Sequence, residues 1–420
     1  MRIWLATVGE PLPVDDGSPR LLRSGQFAHW LAGHGHDVVF WTGTMDHYQR
    51  RLRSDTTTTY EVNPNYKIVA LAGRHYDRTI SYSRFRNHGD IARSFKAIAG
   101  DHEAPDVILA SYPIEELCRE LLNFAEPRGI PVVIDIRDFW PDIFSEMLPA
   151  PLRPLAPLAF YPLERAARRT LRRATAISGM TETAMGWGVA KAGREPHEAD
   201  FWFPFSYRRS NVVHQTAAVE HDPAADGLRL CFLGSLSQRS NIEVLIDAFR
   251  LLNEHGVKAR LSICGAGDAE AGLKARAADL PNVELLGWVG AAELHAVMRE
   301  SDFGALPYDR ADFHKSIPNK CVEYFAGGLP VLTCTEGEVR SLVENRNCGV
   351  WVPARPEELA RAISELAGAP ERLAELKRNV VKVFDDTFEE NVVFEKAVRK
   401  LDEIARMSQS RVSDKGSTLP

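Results

Sequence analysis

The chain has 420 residues, enough for two or three domains. Apolar residues make up 45% and charged residues 26% of it, as in globular proteins with a hydrophobic core. The formal charge of −6 argues against general binding to nucleic acid, so any basic function must be local. Six scattered cysteines form no CxxC pair and are expected to be buried free thiols in a reducing compartment.

The N-terminal sequence carries no secretory signal, because the apolar run MRIWLATVG is short and leads into acidic, Pro-rich sequence at residues 10–16. No stretch of 18 consecutive apolar residues occurs in the sequence. We therefore expect a cytoplasmic protein, with peripheral attachment to the inner face of the cytoplasmic membrane as a further possibility.

The first 200 residues predict strands that alternate with helices. Helical spacing is found at residues 21–33 and 115–126. The predicted strands are RIWLAT, DVVFWTG, KIVALAG, DVILASYP and PVVIDIRD. Short apolar runs separated by amphipathic helices are typical of a parallel, doubly wound α/β sheet.

The same pattern restarts near residue 228, after a polar stretch without periodicity. The predicted strands are LRLCFLGS, RLSICGAG, VELLGWV, FGALPY and LPVLTCT. Predicted helices cover residues 242–255, 291–300, 321–327 and, at the end, 391–407. These patterns predict two Rossmann-like domains that face each other across a cleft. The expected layout is an N-terminal domain at 1–205, a linker at 206–227, a C-terminal domain at 228–385, a helix at 386–407 and a disordered tail at 408–420.

The segment HKSIPNKCVEYFAGGLPVLTCTEGEV carries the most specific chemistry. A Pro-interrupted loop at residues 316–319 opens a short helix that holds Lys320 and Glu323. A helix N-terminus offers free backbone N–H groups to an anion, and Lys320 adds charge where a diphosphate would bind. Glu323 is placed to accept hydrogen bonds from a ribose diol. The alternative is an ordinary helix-to-strand connection with a surface Lys and Glu.

This segment resembles the donor-binding signature of the retaining glycosyltransferases of family 4, which have the GT-B fold. In that signature two glutamates are separated by seven residues, and a G-x-PV strand follows. Glu323 with YFAGGLPVLT matches the second half, whereas Lys315 stands at the position of the first glutamate. The form S-x-P-N-K-x-x-E-Y resembles a WbuB-like branch found in bacterial surface-polysaccharide and O-antigen synthesis. The resemblance also implies that the last helix crosses back to pack on the N-terminal domain.

The resemblance implies which residues bind a nucleotide-sugar donor. LCFLGSLSQRSNIEVLIDAF is similar to the family segment that holds the diphosphate, although the usual Lys-Gly is Ser240-Asn241, which leaves Arg239 to supply the charge. RLSICGAG and NVELLGWV resemble the strands beside the nucleobase. The expected donor-binding residues are Gly234, Ser235, Arg239, Gly265, Trp288, Val289, Ser316, Ile317, Pro318, Asn319, Lys320 and Glu323.

In the N-terminal half, VVIDIRDFWP places Arg137 and Asp138 at the carboxyl end of a buried strand, where doubly wound folds bind ligands. The segment is similar to the RDxWP of the same branch, which implies contact with the transferred sugar or the acceptor. The alternative is an Asp–Arg pair that anchors a loop. The expected catalytic residues are Asp138, Arg239 and Lys320. The further residues expected near the sugar or acceptor are Gly17, Ser18, Arg137, His314 and Lys315.

No metal cofactor is expected. The pair His34 and His36 falls in a helix-to-strand turn, GHGHDV, where a structural role is favoured. The sequence contains no D-x-D, which argues against a GT-A enzyme that holds its donor through a divalent cation.

A basic stripe follows the apolar, Pro-rich run LPAPLRPLAPLAFYP. Five arginines recur at the spacing of one helical face: Arg165, Arg168, Arg169, Arg172 and Arg173. An apolar run beside a cationic face is typical of a surface that rests on an anionic bilayer. The alternatives are a solvated helix face and a helix that packs on the cleft between the domains.

The sequence thus predicts a glycosyltransferase that uses a nucleotide-diphosphate sugar, with a UDP-sugar favoured by the branch resemblance alone. The acceptor is expected to be a saccharide or a lipid-linked saccharide, and retention of configuration is implied by the family. Two alternatives are a GT-B-fold sugar-nucleotide epimerase, which works without an acceptor, and a non-catalytic sensor, which binds the donor without turning it over.

Overall fold

A computed structural model gives the fold of the chain. It describes residues 1–17, 19–78, 81–209, 221 and 223–416. The chain divides into two compact units. The N-terminal unit comprises Met1–Pro204 with the chain from Phe394 onward, and the C-terminal unit comprises Phe205–Val393.

The N-terminal unit is built on an eight-stranded sheet with the spatial order β10-β9-β8-β7-β1-β2-β6-β5. Every strand pair in it is parallel except β5 with β6. Strands β3 and β4 form a separate antiparallel hairpin. The strands are β1 (Arg2–Ala6), β2 (Asp37–Gly43), β3 (Met45–Asp46), β4 (Arg51–Leu52), β5 (Thr58–Asn63), β6 (Tyr66–Leu71), β7 (Val107–Tyr112), β8 (Val132–Ile136), β9 (Ala176–Gly179) and β10 (Phe201–Trp202).

Helices connect these strands. They are α1 (Arg23–Gly33), α2 (Tyr82–Ile98), α3 (Glu115–Ala125), α4 (Asp142–Met147), α5 (Ala156–Ala159), α6 (Tyr161–Arg173) and α7 (Glu182–Ala192), with 3-10 turns at Ala99–Asp101, Glu126–Arg128 and Ala150–Leu155. Aromatic side chains from the adjacent inner strands β1 and β2 pack against rings of the helices α2 and α3. The ring of Trp4 lies 4.9 Å from the rings of both Trp41 and Phe124, and Trp41 lies 4.9 Å from Phe95. Such large buried rings contribute strongly to the hydrophobic core.

The C-terminal unit is built on a six-stranded sheet with the order β13-β12-β11-β14-β15-β16, in which every pair is parallel. Its strands are β11 (Leu228–Leu233), β12 (Ala259–Cys264), β13 (Val283–Gly287), β14 (Phe303–Leu306), β15 (Val331–Thr333) and β16 (Gly349–Trp351). Its helices are α8 (Pro223–Asp226), α9 (Glu243–Glu254), α10 (Glu270–Ala277), α11 (Ala291–Arg299), α12 (Asn319–Ala326), α13 (Glu338–Arg346), α14 (Pro356–Ala367) and α15 (Pro370–Thr387), with 3-10 turns at Gln238–Ser240 and Ala311–Phe313. All six cysteines are buried and free, as expected.

The last helix, α16 (Glu390–Gly416), begins in the C-terminal unit and continues in the N-terminal unit. In the N-terminal unit its Phe394 ring packs 5.0 Å from Phe27 and 6.3 Å from Phe203. The prediction of a disordered tail from residue 408 is wrong for residues 408–416, which continue this helix. The Ser408 hydroxyl donates to the Gly129 carbonyl at 2.8 Å, and no proline or glycine interrupts the helix before its end. Residues 417–420 of the predicted tail lie outside the described residues.

The predicted linker at 206–227 lies largely outside the described residues, namely at 210–220 and 222. Its described part differs from an irregular connection in two places. Tyr207 forms an isolated parallel bridge with Glu389, and Pro223–Asp226 forms the short helix α8. Both the bridge and the short helix lie within the C-terminal unit.

Tyr324 of α12 ties this helix to the centre of the sheet. Its ring lies against Gly304, where an added Cβ would come within 2.3 Å of the ring. Its hydroxyl accepts the N–H of Leu233 at 2.9 Å and lies 3.2 Å from the carbonyl oxygen of Cys231. Strand β14 pairs with β11 only as far as Cys231, so the hydroxyl takes up the next buried donor of β11. The first residues of α12 are thereby fixed beside the turn that follows β11.

We expect Tyr324→Phe to lower the free energy of unfolding by about 1–3 kcal/mol, because the buried Leu233 N–H loses its acceptor. Urea unfolding measured by circular dichroism tests this. The matched control is Tyr308→Phe, a buried tyrosine whose hydroxyl has no hydrogen-bond partner among the described residues. Equal stability of Tyr324→Phe and the control would contradict the role assigned to the hydroxyl.

Candidate functional site

Two glycine turns lie side by side at the carboxyl edge of the C-terminal sheet. Gly234 follows β11 and donates its N–H to the Cys264 carbonyl at 2.9 Å. Gly265 follows β12 and donates to the Gly287 carbonyl at 2.7 Å. A Cβ on Gly265 would lie 1.7 Å from the Gly234 carbonyl oxygen, so no larger residue fits there. The two backbones can therefore come close to a ligand without intervening side chains.

Helix α12 points its N-terminus at the same edge. Pro318 precedes its first residue in an extended conformation. Lys320 reaches over the first glycine turn, since a Cβ on Gly234 would lie 3.8 Å from its Cε. Ile317 is buried, whereas Asn319 is exposed. The Ser316 N–H is directed at the Phe313 carbonyl, 3.2 Å away. The structure thus brings Gly234, Gly265 and Lys320 together.

Glu323 lies one turn further along α12 and is buried. Its carboxylate accepts from Lys320 Nζ at 3.1 Å and from the Tyr207 hydroxyl at 3.3 Å. The Lys320 ammonium neutralises the charge of this buried carboxylate, so the two side chains form an ion pair.

Arg239 lies on the 3-10 turn after β11, and its guanidinium pairs with Asp312. It is largely exposed, with 63% of its side chain accessible. The neighbouring Ser240 and Asn241, which stand where the family has Lys-Gly, hold the turn in place. The Ser240 hydroxyl donates to the Ser235 carbonyl at 2.8 Å, and the Asn241 amide donates to the Pro307 carbonyl at 3.1 Å. These bonds close the turn and join it to the end of β14.

The loop that carries His314 and Lys315 is held against the start of α13. The His314 carbonyl accepts the Glu338 N–H at 2.9 Å. Gly337 has a φ of +74°, and a Cβ there would lie 2.1 Å from the same carbonyl oxygen. The Nε2 atom of His314 is buried and has no hydrogen-bond partner among the described residues. The loop is thus fixed by its backbone, and contact of His314 or Lys315 with a sugar stays a prediction.

Trp288 and Val289 follow β13, next to the second glycine turn. Gly287 has a φ of +72°, and the chain turns there. The Trp288 side chain is 80% exposed, which is unusual for the largest apolar side chain. An exposed indole offers a flat face for stacking, and its contact with a nucleobase stays a prediction.

At the carboxyl edge of the N-terminal sheet, four charged side chains, three of them buried and one half-buried, form a cluster that the sequence did not reveal. We call Glu10, Arg23, Asp135 and Arg137 the charged tetrad. Arg23 pairs with Asp135, and Arg137 pairs with both Asp135 and Glu10. Two positive and two negative charges balance, and each buried ion is therefore compensated. Burial lowers the pKa of Arg23 to about 10, despite the raising effect of Asp135.

The predicted residue Arg137 belongs to the charged tetrad, whereas its neighbour Asp138 does not. Arg137 also donates to the Ser24 hydroxyl at 2.9 Å, so its described contacts anchor the start of α1 as well as the loop after β1. Asp138 is not its partner. Its carboxylate accepts the Phe139 N–H at 2.9 Å and the Trp140 indole N–H at 3.2 Å. Burial raises the pKa of Asp138 above its usual range. Contact of either residue with a sugar or acceptor stays a prediction.

Near Asp138 lies a second group of side chains that the sequence did not reveal. The guanidinium of Arg84 lies 5.6 Å from the Trp140 ring and 5.9 Å from the Tyr76 ring. The Tyr76 hydroxyl lies 3.0 Å from Nδ1 of His47. Burial, with the nearby Arg84 charge, lowers the pKa of His88 to about 3, so this imidazole is neutral at ordinary pH.

The loop after β1 is held at several points. Asp15 pairs with Arg53, with 2.5 Å between a carboxylate oxygen and Nε. The second oxygen of Glu10 accepts the Gly25 N–H at 3.2 Å. Gly17 is exposed and has open space around it, whereas Ser18 lies outside the described residues. The described part of this loop is therefore an ordered element.

The basic stripe lies on α6 as predicted. Arg168 pairs with Glu164 at 2.6 Å, and Arg173 pairs with Glu126 at 2.7 Å. Arg165, Arg169 and Arg172 are exposed and have no acidic partner among the described residues. None of the helices in the described ranges combines the length and the apolar character of a membrane span. No three His, Cys, Asp or Glu side chains gather as a metal site within those ranges.

Comparison with known proteins identifies the family. Residues 23–199 match the family model "Glycosyl transferase 4-like domain", and residues 227–369 match "Glycosyl transferases group 1". The amylovoran biosynthesis glycosyltransferase AmsK of Erwinia amylovora is 30% identical over 200 residues, 46% of this chain and 44% of that protein. A GDP-mannose-dependent alpha-(1-6)-phosphatidylinositol dimannoside mannosyltransferase of Mycobacterium tuberculosis is 27% identical over 156 residues, 36% of this chain and 39% of that protein. The chain therefore aligns with less than half the length of these curated relatives.

Among solved structures, HepE of Anabaena in complex with UDP has the same fold. The TM-score is 0.66 at 14% sequence identity, and the superposition covers 96% of this chain and 99% of HepE. At this identity the likeness concerns the fold, which is two Rossmann-like parallel sheets with helices at the C-terminus. The two family matches and the fold together show that the chain belongs to the group 1 glycosyltransferases of family 4, which have the GT-B fold.

Proposed function

We propose that the chain transfers a sugar, with retention of configuration, from a nucleotide-diphosphate sugar held by its C-terminal unit. The observation that carries the proposal is the convergence of Lys320, the N-terminus of α12 and the two glycine turns at one sheet edge. Open backbone, helix-terminal N–H groups and an ammonium are the groups that bind a diphosphate. We propose a role in surface-polysaccharide synthesis, within the WbuB-like branch suggested by the S-x-P-N-K-x-x-E-Y motif and by the relative AmsK.

In this proposal the protein accelerates the reaction by stabilising the departing diphosphate. Lys320, the free N–H groups at the start of α12 and Arg239 face the negative charge that develops as the bond to the sugar breaks. Glu323 orients Lys320 and, once the ammonium moves to the phosphate, accepts a hydrogen bond from the ribose. The N-terminal unit binds the acceptor, and Asp138 is the carboxylate proposed to act there.

We favour a UDP-sugar as donor, and the relatives differ on this point. HepE is described in complex with UDP, whereas the mycobacterial relative is described as dependent on GDP-mannose. Trp288 stacks equally well on any base, so it does not select one. A thermal-shift panel of UDP, GDP, ADP and TDP with their sugars separates these possibilities, because only a bound ligand raises the apparent stability.

We expect Lys320→Ala to reduce turnover of the donor about a hundredfold or more, because one positive charge opposite the leaving group is lost. Turnover is measured as nucleoside diphosphate released in the presence of acceptor, and donor binding by calorimetry. The matched control is Lys274→Ala, which removes a lysine that also pairs with a glutamate on its own helix, Glu270 at 2.7 Å.

Unchanged turnover in Lys320→Ala would contradict the assignment of Lys320 to the donor site. The same assay separates the alternative functions. Conversion of the donor into a second sugar epimer without acceptor indicates an epimerase. Donor binding without conversion of the sugar and without release of nucleoside diphosphate indicates a sensor.

Arg239 gives a second prediction, because Asp312 competes with a phosphate for its guanidinium. We expect Asp312→Asn to tighten binding of the nucleoside diphosphate about two- to fivefold, the range of an exposed ion pair. Calorimetry with the nucleotide measures the change. In an Arg239→Ala background the same substitution should have no effect, which makes a double-mutant cycle. An equal gain in nucleotide affinity in the parent and in the Arg239→Ala background would show that Arg239 does not contact the nucleotide.

We further propose that the stripe on α6 attaches the N-terminal unit to the anionic inner face of the cytoplasmic membrane. The preceding segment exposes Leu152, Leu155 and Leu158, the last at 81%. Exposed apolar side chains beside arginines without an acidic partner are suited to the headgroup region of an anionic bilayer. The supporting charges are Arg165, Arg169 and Arg172, since Arg168 and Arg173 are already paired.

Replacing Arg165, Arg169 and Arg172 by glutamine should lower the partition coefficient on anionic vesicles roughly a hundredfold. Co-sedimentation with phosphatidylglycerol vesicles measures it, and the loss should be smaller at high salt. The control replaces Arg299, Arg372 and Arg378, three exposed arginines of the C-terminal unit, and changes the net charge equally. Membrane attachment through α6 is refuted if both triple variants sediment alike.

A further inference from the structure

Tyr207 is the third residue of the C-terminal unit and lies in the segment that the sequence predicts to be a linker. Its hydroxyl donates to Oε1 of Glu323 at 3.3 Å. Glu323 is one of the residues expected to bind the donor, whereas no residue of the predicted linker is among them. The linker thus contributes a side chain to the candidate donor site.

The backbone of Tyr207 is held on both sides by the chain around residue 389. The Tyr207 N–H donates to the Phe388 carbonyl at 3.0 Å, and the Tyr207 carbonyl accepts the Glu390 N–H at 3.2 Å. The next residue, Arg208, donates from Nε to the Glu390 carboxylate at 2.9 Å. Two backbone bonds and an ion pair therefore fix the point from which the tyrosine side chain extends.

The same stretch of chain also packs against α12, the helix that carries Glu323. The Phe388 ring lies 6.1 Å from the ring of Phe325, and both side chains are fully buried. Phe325 is two positions after Glu323 on α12. Phe388 thus contacts Tyr207 through its backbone and α12 through its ring, which keeps the tyrosine hydroxyl next to the carboxylate.

The Glu323 carboxylate presents its two oxygens to different side chains. Oε1 accepts from the Tyr207 hydroxyl, and Oε2 accepts from the Lys320 ammonium at 3.1 Å. The Glu323 side chain is buried, whereas 28% of the Lys320 side chain is exposed. The two donors therefore differ in freedom of movement. The hydroxyl lies on a fixed segment, whereas the ammonium ends a flexible side chain that can turn to a phosphate.

We infer that Tyr207 is a positioning residue of the donor site and makes this site prefer ribonucleotides over deoxyribonucleotides. The hydroxyl holds Oε1 of Glu323, so that Oε2 accepts a hydrogen bond from the ribose diol once Lys320 turns to a phosphate. The inference rests on the proposed function, because it concerns the nucleotide of that donor. Tyr207 acts through Glu323. Without its hydroxyl the carboxylate rotates, and neither oxygen is held toward the ribose.

Calorimetry with UDP, GDP and ADP, each beside its 2′-deoxy and 3′-deoxy forms, tests this preference. The base that binds most tightly is used for the comparison of variants. We expect the parent protein to bind the ribonucleotide at least about tenfold more tightly than one of its deoxy forms, because a hydrogen bond to a charged group is lost. Tyr207→Phe should reduce this ratio to about threefold or less.

The control is Tyr308→Phe, which removes a tyrosine hydroxyl elsewhere in the same unit and should keep the ratio of the parent. The ratio also separates positioning from a loss of stability. A variant that is partly unfolded binds both nucleotides more weakly by the same factor, so the ratio of the two affinities does not change.

A double-mutant cycle tests whether Tyr207 acts through the carboxylate. Glu323→Gln removes the charge but keeps the size of the side chain, and it should lower the ribose preference by itself. In that background Tyr207→Phe should change the preference by less than about twofold, because the group that it positions is absent. An equal effect of Tyr207→Phe in both backgrounds would contradict action through Glu323.

The inference is overturned if the parent binds the deoxy forms as tightly as the ribonucleotide, or if Tyr207→Phe keeps the ratio of the parent. It is also overturned if TDP, whose sugar is 2′-deoxyribose, binds more tightly than every ribonucleotide. These results leave the transfer proposal in place, because transfer is measured separately as acceptor-dependent release of nucleoside diphosphate. A protein that binds none of these nucleotides refutes the transfer proposal, and the inference with it.

Discussion

The side chain of Tyr324 runs from α12 into the packed interior of the C-terminal unit, and its hydroxyl takes up the Leu233 N–H where β14 no longer pairs with β11. Gly304 leaves the room for its ring. This contact fixes where the first turn of α12 lies relative to the turn at Gly234. The distance between the Lys320 ammonium and the open backbone of that turn depends on it. A phosphate site that consists of backbone and one ammonium needs such an anchor, because neither part holds the other in place.

In the N-terminal unit, ion pairs rather than a single hydroxyl fix the carboxyl edge of the sheet. Its sheet ends in the charged tetrad, which joins the loop after β1, the start of α1 and the end of β8. Breaking one member would leave a buried charge without its partner, which is strongly destabilising. The tetrad therefore fixes this edge, and the side chains around it include Asp138, His47 and Arg84.

The sequence predicted the fold well where patterns are local. All ten predicted strands exist, because central parallel strands are continuous apolar runs. The strands that were missed are short or lie at or near the sheet edges. Thr58–Asn63 lies at an edge of the sheet and consists mostly of polar residues, so it is not an apolar run. Ala176–Gly179 has only four residues. The loop and helix around Lys320 were predicted correctly, since proline and the helix start are marked in the sequence.

The parts of the site that escaped prediction are those formed by residues far apart in the chain. Glu10 and Arg137 are 127 positions apart, and nothing near either one signals the other. Arg84 appears in a helix among other arginines, and only the fold reveals that it borders Trp140. The pairing of Arg239 with Asp312 spans 73 positions, so the sequence suggested an unopposed charge where a competitor exists.

The charged tetrad has a consequence for how acceptor preference can change. Glu10 lies on the loop after β1, which carries predicted acceptor residues. It nevertheless pairs with Arg137, which lies on another loop. Grafting a foreign loop after β1 without a glutamate at this position would remove one of the two carboxylates that pair with Arg137 and leave the charges of the tetrad unbalanced. Successful chimaeras therefore need matched segments, residues 9–17 with 135–138, exchanged as one unit. Natural variants of this chain that change the loop after β1 face the same requirement, which favours coordinated over stepwise substitution.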